Sequence, residues 1–284
     1  MEHADYVARF RARAAEAGAG GAGLEVSEYG AVIEGGKRYP LLKLTLLAAV
    51  PGRPRLTVTS GFHGEEPAGP LALLEGAPGI VAHARARGVG LTIYPCANPS
   101  GFEDGTRYNR SGERPNNDFL RYEVAPGVLR GEIGPDERFE RWVPFAGGPK
   151  ETRALLADLE RDDPPAAALD IHQDADVAGP HVYAYIFGDR AAYRPLLAAA
   201  ARHAPIAAGR AVGAGGATDA EGFIVSHDGS VSDYLARRGA RHVAAVETSV
   251  DTPLAAAIAI DLIWVRGFID LAATSAPAAA ATPA

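Results

Sequence analysis

The chain has 284 residues and a mass of 29.5 kDa, which is the size of one large α/β enzyme domain with a substantial core. Its composition, 47% apolar and 22% charged, excludes intrinsic disorder for most of the chain. The formal net charge of -7 and the absence of a basic cluster exclude nucleic acid as a partner, because phosphate binding needs a basic surface.

The first predicted element is a helix over Tyr6–Ala17, which ends at the glycine-rich run 18–23. That run matches a dinucleotide-binding pattern, but such a pattern should follow a strand and open a helix. Here it follows a helix and precedes an extended segment, Leu24–Glu28, so it indicates the end of a helix. A second extended segment is predicted at Leu41–Ala49.

From Leu56 onward, short apolar strands alternate with helices rich in alanine, leucine and arginine. The predicted strands are Leu56–Thr59, Leu91–Tyr94, Ala166–Ile171, Val182–Ile186 and His242–Val246. The predicted helices are Ala68–Arg87, Lys150–Arg161, Ala191–His203, Ser230–Arg238 and Pro253–Ala272. This alternation predicts one α/β domain over residues 1–272, with a mostly parallel sheet covered by helices on both faces.

Two segments depart from this alternation. Residues 98–148 are polar and rich in glycine, proline, asparagine and arginine, and we predict a long loop region that encloses the active site. Residues 273–284 are mostly alanine and proline without a core-forming face, and we predict a disordered tail there.

The sequence predicts a cytoplasmic protein without a membrane segment. The first ten residues include His3, Asp5 and Arg9 where a secretory signal would be apolar. The most apolar stretches are interrupted by Lys43 and Asp261, and neither is long enough to cross a bilayer.

Polar side chains follow several predicted strands at the point where each strand ends. His63 and Glu66 come shortly after Leu56–Thr59, His172 follows the strand that ends at Ile171, and Glu247 follows Val246. In an open α/β sheet, ligands bind beyond the carboxyl ends of the strands, where loops from neighbouring strands converge. Two histidines and two carboxylates are therefore predicted to meet at one edge of the sheet.

These residues fit a single catalytic zinc ion. The only cysteine, Cys96, rules out a multi-cysteine site, so a metal must bind histidine and acidic side chains. Zinc accepts imidazole nitrogen and carboxylate oxygen, and a catalytic zinc has three protein ligands. The spacing of His63 and Glu66 is weak evidence by itself, because about one such pair is expected by chance among eight histidines and 35 acidic residues. The alternative is that His63 caps a turn and His172 makes a hydrogen bond at the sheet edge.

Glu247 and Arg107 are the candidate catalytic residues. A glutamate at the end of an apolar strand is expected to have a raised pKa, which suits it to take a proton from metal-bound water and pass it to a leaving amine. Arg107, in the polar segment, could stabilise an oxyanion. The alternatives are an ordinary surface carboxylate and a paired surface arginine.

A set of short motifs in a fixed order resembles the zinc metallocarboxypeptidase family. The motifs are His63-Gly-Glu-Glu66, Asn98-Pro-Ser-Gly101, Arg107-Tyr-Asn109, Asn116-Asn-Asp-Phe119, Phe145-Ala-Gly-Gly-Pro149, Glu151-Thr-Arg153, Leu169-Asp-Ile-His172 and Glu247. The resemblance spans about Leu56 to Ala272. It implies a mixed eight-stranded sheet with helices on both faces, and one zinc ion bound by His63, Glu66 and His172.

The same resemblance implies roles for the residues around the metal. Glu247 becomes the general base and proton shuttle, and Arg107 polarises the carbonyl. Asn116 matches an asparagine that helps to hold the terminal carboxylate of the substrate. At the next position the family has an arginine that clamps this carboxylate, but this chain has Asn117.

The replacement affects the expected substrate. An amide lacks the planar guanidinium fork, so Asn117 cannot form a bidentate ion pair with a carboxylate. Arg110 or Arg114 could supply a charge from a shifted loop, or the substrate could lack a free carboxylate at this place.

The predicted function is zinc-dependent hydrolysis of a peptide or amide bond in a small peptide or an N-acyl amino acid, by glutamate-assisted attack of zinc-bound water. One alternative is an N-acyl amino acid deacylase, similar to the succinylglutamate desuccinylase and aspartoacylase group, although those proteins carry an extra β-rich domain after the general base. A second is a non-catalytic homologue that binds a ligand. A serine hydrolase is disfavoured because the chain has no Gly-x-Ser-x-Gly turn. The oligomeric state is left open.

Overall fold

A mixed eight-stranded sheet organises the chain, and the computed structural model describes residues 1–48, 52–213 and 216–275. The strands are β1 Leu24–Glu34, β2 Lys37–Leu46, β3 Arg55–Ser60, β4 Gly90–Tyr94, β5 Leu120–Ala125, β6 Val128–Arg130, β7 Arg141–Pro144, β8 Ala167–Asp174, β9 Val182–Phe187, β10 Phe223–Ile224 and β11 His242–Ser249. The helices are α1 His3–Gly18, α2 Ala68–Arg87, α3 Pro99–Asp104, α4 Lys150–Leu159, α5 Arg194–Ala200, α6 Val231–Arg237 and α7 Leu254–Thr274.

The strand order is β1-β2-β4-β3-β8-β11-β9-β10, and its centre is parallel. β3 pairs in parallel with β4 and β8, and β8 pairs in parallel with β11. The pairs β1–β2, β2–β4 and β11–β9 are antiparallel, and the last strand, β10, pairs in parallel with β9. The three parallel strands β3, β8 and β11 are therefore neighbours whose carboxyl ends lie at one edge of the sheet.

Helices cover both faces, as predicted. α1, α2, α5 and α7 pack on one face, where the largest cluster of buried apolar side chains includes Phe10, Leu74, Trp264 and Phe268. α4 and α6 pack on the other face, over a second cluster that includes Leu155 and Tyr234. The central strands are apolar on both sides because both faces are buried.

The segment 98–148 contains more structure than the loop region predicted from its composition. It holds the short helix α3 and a separate antiparallel sheet in the order β6-β5-β7. Its strands have three to six residues and its glycines and prolines interrupt any regular pattern, so local periodicity gives little signal.

The chain ends differ slightly from expectation. α7 continues to Thr274, two residues beyond the predicted end of the domain. The rest of the predicted tail, residues 276–284, lies outside the described residues. Within the described ranges, no helix combines the length and the apolar character needed to span a bilayer.

Candidate metal centre

The loop after β3 carries the first two predicted metal ligands. It leaves the strand at Ser60 and enters α2 at Ala68. Gly64 packs directly against α3, since a Cβ atom at this position would lie 1.9 Å from the carbonyl carbon of Gly101. Its amide also donates a hydrogen bond of 2.9 Å to the carbonyl of Thr106. Only glycine fits here, and this close contact fixes the path of the loop between His63 and Glu66.

The structure brings the three predicted ligands together. His63 Nδ1 lies 2.6 Å from Glu66 Oε1, and His172 Nδ1 lies 2.9 Å from Glu66 Oε2. Their potential ligand atoms all lie within 4.8 Å of one another, and each side chain is only 3% exposed. Two imidazole nitrogens and one carboxylate, turned toward a common point, are a donor set that fits zinc.

Hydrogen bonds from the sheet hold His172 and Glu66 in place. Asp170 Oδ2 lies 2.8 Å from His172 Nε2, and Thr59 donates a hydrogen bond of 2.7 Å to Asp170 Oδ1. The backbone amide of Gln173 donates to Glu66 Oε2 at 3.1 Å. A carboxylate on the outer nitrogen of a metal-binding histidine orients the ring and raises its basicity. In contrast, His63 Nε2 is buried without a hydrogen-bond partner among the described residues.

Sequence reasoning did not identify the role of Asp170. The signal was available, because residues two apart in a strand share a face, and Asp170 precedes His172 by two. The parallel register also places Thr59 directly opposite Asp170.

The electrostatics of the cluster favour a cation. Burial opposes ionisation of Glu66, but the imidazoles of His172 and His63 hold its pKa at about 2. Burial alone would lower the pKa of His172, yet Asp170 and Glu66 raise it well above its usual value. Two buried carboxylates on one imidazole thus stabilise positive charge at this point.

Glu247 lies beside the cluster, as the strand order requires. It is paired in register with His172 on β8 and with Tyr183 on β9. Its side chain is partly buried and lines the same cavity as the three predicted ligands. Burial raises its pKa well above the usual value, and nearby Glu66, Asp174 and Asp170 act in the same direction.

Arg107 reaches the cluster from the segment after α3. Its Nη1 lies 3.2 Å from Glu65 Oε1 and 3.4 Å from Glu66 Oε1, and its side chain is 35% exposed. The neighbouring Asn109 anchors this segment by donating hydrogen bonds of 3.0 Å to Glu113 and to Glu151 at the start of α4. Sequence reasoning did not assign these anchoring contacts.

The cluster opens into a cavity of about 750 Å³. Arg114, Asn116 and Asn117 line it, and the side-chain oxygens of both asparagines are buried without partners among the described residues. Arg110 lies elsewhere. Its guanidinium pairs with Glu103 at 2.9 Å and Asp104 at 2.6 Å, and it does not line the cavity.

Comparison with solved structures connects this geometry to known proteins. The chain resembles a putative metallopeptidase from Shewanella amazonensis with 27% identity and a TM-score of 0.69, over 94% of this chain and 92% of that one. A metallo-carboxypeptidase from Burkholderia cenocepacia matches with 16% identity and a TM-score of 0.63, over 95% of this chain and 68% of that one. No protein-family model and no curated protein matches the chain.

A third similar structure is bovine thrombin-activatable fibrinolysis inhibitor, solved in complex with tick carboxypeptidase inhibitor. It has 14% identity and a TM-score of 0.59, and the match covers 95% of this chain and 96% of that one. The predicted resemblance to metallocarboxypeptidases and the predicted fold are therefore confirmed. Together with the buried His63, Glu66 and His172, the likeness to the Shewanella amazonensis protein supports a metal-dependent hydrolase.

Proposed function

We propose that this chain is a zinc-dependent hydrolase that cleaves a peptide or amide bond, with Glu247 as general base. One observation carries the proposal: a buried His63, Glu66 and His172 cluster, with all ligand atoms within 4.8 Å, adjoins Glu247 in one large cavity. Three metal ligands and a base, gathered near the carboxyl ends of adjacent strands, form an arrangement that suits hydrolysis of an unactivated amide.

The zinc ion would be held by His63 Nδ1, His172 Nδ1 and the carboxylate of Glu66. When bound, zinc lowers the pKa of a coordinated water from about 15.7 to about 7, which supplies a nucleophile near neutral pH. The Asp170 carboxylate keeps the His172 ring oriented for this purpose.

Glu247 moves the proton in this scheme. Its raised pKa makes it a base that accepts a proton from the attacking water and an acid that returns the proton to the leaving nitrogen. Arg107 supplies fixed positive charge where the carbonyl oxygen becomes negative. Its ion pairs with Glu65 and Glu66 keep the guanidinium at the mouth of the cluster.

Small peptides and N-acyl amino acids are the proposed substrates, and Arg114 is the residue proposed to contact a terminal carboxylate. It lines the cavity and has no ion-pair partner within the described part of the chain. Asn116 and Asn117 contribute amide groups beside it. An exposed, singly placed arginine selects a carboxylate less strictly than a buried bidentate clamp, since screening by solvent weakens its attraction.

An N-acyl amino acid deacylase is the second candidate. An N-acyl amino acid carries a carboxylate next to the scissile amide, as the C-terminal residue of a peptide does, so Asn117 at the cavity wall bears on both candidates alike. Both candidates use the same metal cluster and the same base.

The test is a screen of benzoyl-glycyl dipeptides, their C-terminal amides and N-acetyl amino acids with zinc-loaded protein. Cleavage should stop on addition of a chelator and return with zinc. Glu247→Gln should retain stoichiometric zinc by elemental analysis and lose turnover by about two to four orders of magnitude. Hydrolysis at the parental rate by this variant, or hydrolysis that survives removal of the metal, would contradict the proposal.

A further inference from the structure

A second glutamate, Glu65, lies beside the metal cluster without being one of its three residues. Its Oε1 lies 3.2 Å from Arg107 Nη1, and its side chain is 25% exposed. Its other oxygen, Oε2, is buried and has no hydrogen-bond partner among the described residues. Because Glu65 does not line the cavity, a bound substrate is not the missing donor. Glu65 therefore keeps acceptor capacity for a donor from the protein itself.

Arg107 contacts two carboxylates through a single nitrogen. Its Nη1 lies 3.2 Å from Glu65 Oε1 and 3.4 Å from Glu66 Oε1, and it meets no other carboxylate within 4.0 Å in the described ranges. A guanidinium group has five N–H donors in one plane and pairs most strongly with a carboxylate through two of them. Neither contact is of this two-pronged kind, since Nη1 alone takes part in both. Arg107 thus has donors to spare for the second oxygen of Glu65.

Glu66 cannot serve Arg107 and a metal ion equally well. Its Oε1 already lies 2.6 Å from His63 Nδ1, and its Oε2 lies 2.9 Å from His172 Nδ1 and accepts the Gln173 amide at 3.1 Å. A metal ion held by this carboxylate takes up the negative charge that Arg107 now shares, and its own charge repels the guanidinium. Arg107 therefore needs a different anion when the cluster holds a metal.

We propose that Glu65 is the positioning residue for Arg107 in the metal-loaded protein. It takes the guanidinium over from Glu66 and holds it beside the cluster through both of its oxygens. This inference rests on the proposed hydrolase function. The charge of Glu65 then compensates that of Arg107, so the metal ion does not face an unpaired cation. Glu65 thereby supports metal binding as well as the placement of Arg107.

The first test measures zinc affinity in full-length protein by competition with a chelator of known affinity. In Glu65→Gln, Glu66 is the only carboxylate left to Arg107 within the described ranges, so the guanidinium competes with the metal. We expect zinc affinity to fall about tenfold, the factor that one charge-assisted hydrogen bond provides. Removal of the competitor should reverse this loss, so Glu65→Gln/Arg107→Ala should bind zinc as tightly as the parent protein. Glu65→Asp, which keeps the charge, should lose less affinity than Glu65→Gln.

Turnover by zinc-saturated protein gives a second readout. On a substrate that the parent protein cleaves, Glu65→Gln should lower kcat about tenfold with KM unchanged, because Arg107 is no longer held where the oxyanion forms. This loss is smaller than the factor of about 10² to 10³ expected when the donor itself is removed. A positioning residue acts only through its partner, so in the Arg107→Ala background the same substitution should have no further effect on kcat.

Glu137→Gln is the matched control. It removes a glutamate that pairs with Arg130, another arginine of the cavity wall, and that does not line the cavity itself. Zinc affinity and kcat should stay at their parental values in this variant. An equal fall of zinc affinity in Glu137→Gln and Glu65→Gln would assign the effect to the loss of one negative charge in general and would overturn the inference.

Parental zinc affinity in Glu65→Gln would also overturn the inference. So would a loss of affinity that persists in Glu65→Gln/Arg107→Ala, since Glu65 would then act on the metal directly or on folding. The zinc measurements separate this inference from the proposed function. If the expected affinities are found but no amide is cleaved, the hydrolase proposal fails and the role of Glu65 toward Arg107 stands. If amides are cleaved and Glu65→Gln binds zinc like the parent protein, only the Glu65 assignment fails. If the parent protein binds no zinc, both fail.

Discussion

The metal cluster and the segment around Arg107 contribute to one cavity but are built in different ways. His63, Glu66 and His172 are each 3% exposed and lie at or just beyond the ends of paired strands. Arg107 and Arg114 lie on a segment between α3 and β5, where the Arg107 side chain is 35% exposed and Arg114 is exposed. The backbone ladders of β8 position His172, and the short loop that joins β3 to α2 positions His63 and Glu66, whereas side-chain contacts position the second region.

This contrast indicates which part of the site tolerates substitution. A residue at the end of a central strand is positioned by hydrogen bonds on both sides, so its geometry is insensitive to nearby substitutions. A residue on an irregular segment depends on a few anchors, such as Asn109 to Glu151. We expect the metal cluster to determine the hydrolytic chemistry. We expect the segment between α3 and β5 to determine the substrate preference.

The largest effect should come from His172→Ala, which removes one of the three proposed ligands of the metal cluster. Removal of one of three ligands should abolish stoichiometric zinc binding and bring hydrolysis to the background rate, because the remaining His63 and Glu66 do not make a three-ligand site. Elemental analysis and activity on the same preparation would check this. A variant that retained one zinc per chain would show that His172 is not a ligand.

Arg107→Ala removes a charged side chain from the segment between α3 and β5 and should leave the metal cluster intact. We expect kcat to fall by about 10² to 10³, the cost of removing one oxyanion-stabilising donor, while zinc content is unchanged. Arg107→Lys should recover part of the loss, because it retains the charge without the planar fork. Arg110→Ala is the matched control, since Arg110 is paired with Glu103 and Asp104 away from the cavity. A drop in zinc content in Arg107→Ala would mean that the regions are not separable.

Asp170→Asn tests the hydrogen bond that orients His172 in the metal cluster. It weakens the acceptor that holds His172 Nε2, and loss of such a partner lowers metal affinity by about 10- to 100-fold. A competition titration with a zinc chelator of known affinity would measure this. Thr59→Val removes only the donor behind Asp170, so its effect should be smaller. Unchanged affinity in Asp170→Asn would indicate that ring orientation is fixed by packing alone.

Asn117→Arg should make the cavity select more strictly for a substrate with a free terminal carboxylate. A guanidinium at this position could make the bidentate pair that an amide cannot. We expect the ratio of kcat/KM for a free C-terminus over an amidated one to rise about tenfold, which corresponds to about 1.4 kcal/mol. Arg114→Ala should lower the same ratio. If neither variant moves it, the terminal carboxylate binds elsewhere.

The sequence predicts the residues at the carboxyl ends of the central strands better than it predicts the structure of residues 98–148. The reason is physical. The predicted strand Leu56–Thr59 lies within β3 Arg55–Ser60. The end of such a buried apolar run can be recognised from the sequence alone. The position of His63 just beyond one such end could therefore be inferred before the strand order was known, and so could the positions of His172 and Glu247 near two others, although β8 and β11 extend past the predicted ends and include these two residues.

The three-stranded sheet of 120–144 could not be inferred in this way. β6 has three exposed residues and β7 four residues, so neither has an apolar face long enough to define a period. Their pairing depends on contacts between positions distant in sequence, such as Leu120 with Pro144. The contacts that direct Arg110 to Glu103 and Asp104 are likewise specific to the folded chain and leave no pattern in the sequence.

Glu151→Gln tests the anchor of the second region through the pH dependence of stability, and its effect should be the smallest on activity. Burial raises the pKa of Glu151 from 4.5 to about 7, and its Oε2 accepts the Asn109 amide. An acid with a raised folded-state pKa contributes stability that is complete below pH 4.5 and is lost as pH rises toward 7. Glutamine cannot ionise and still accepts from Asn109, so the variant should lose none of this stability.

The free energy of unfolding, measured in urea from pH 4 to 8, should therefore favour Glu151→Gln increasingly between pH 4.5 and 7 and then level off. The full difference is about 3 kcal/mol, since the pKa rises from 4.5 to about 7 and each pKa unit corresponds to about 1.4 kcal/mol. Glu113→Gln changes the other acceptor of Asn109, which is nearer to solvent, and should give a much flatter difference. A pH-independent difference for Glu151→Gln would mean that Glu151 is already ionised in the folded protein and that its charge holds the segment in place.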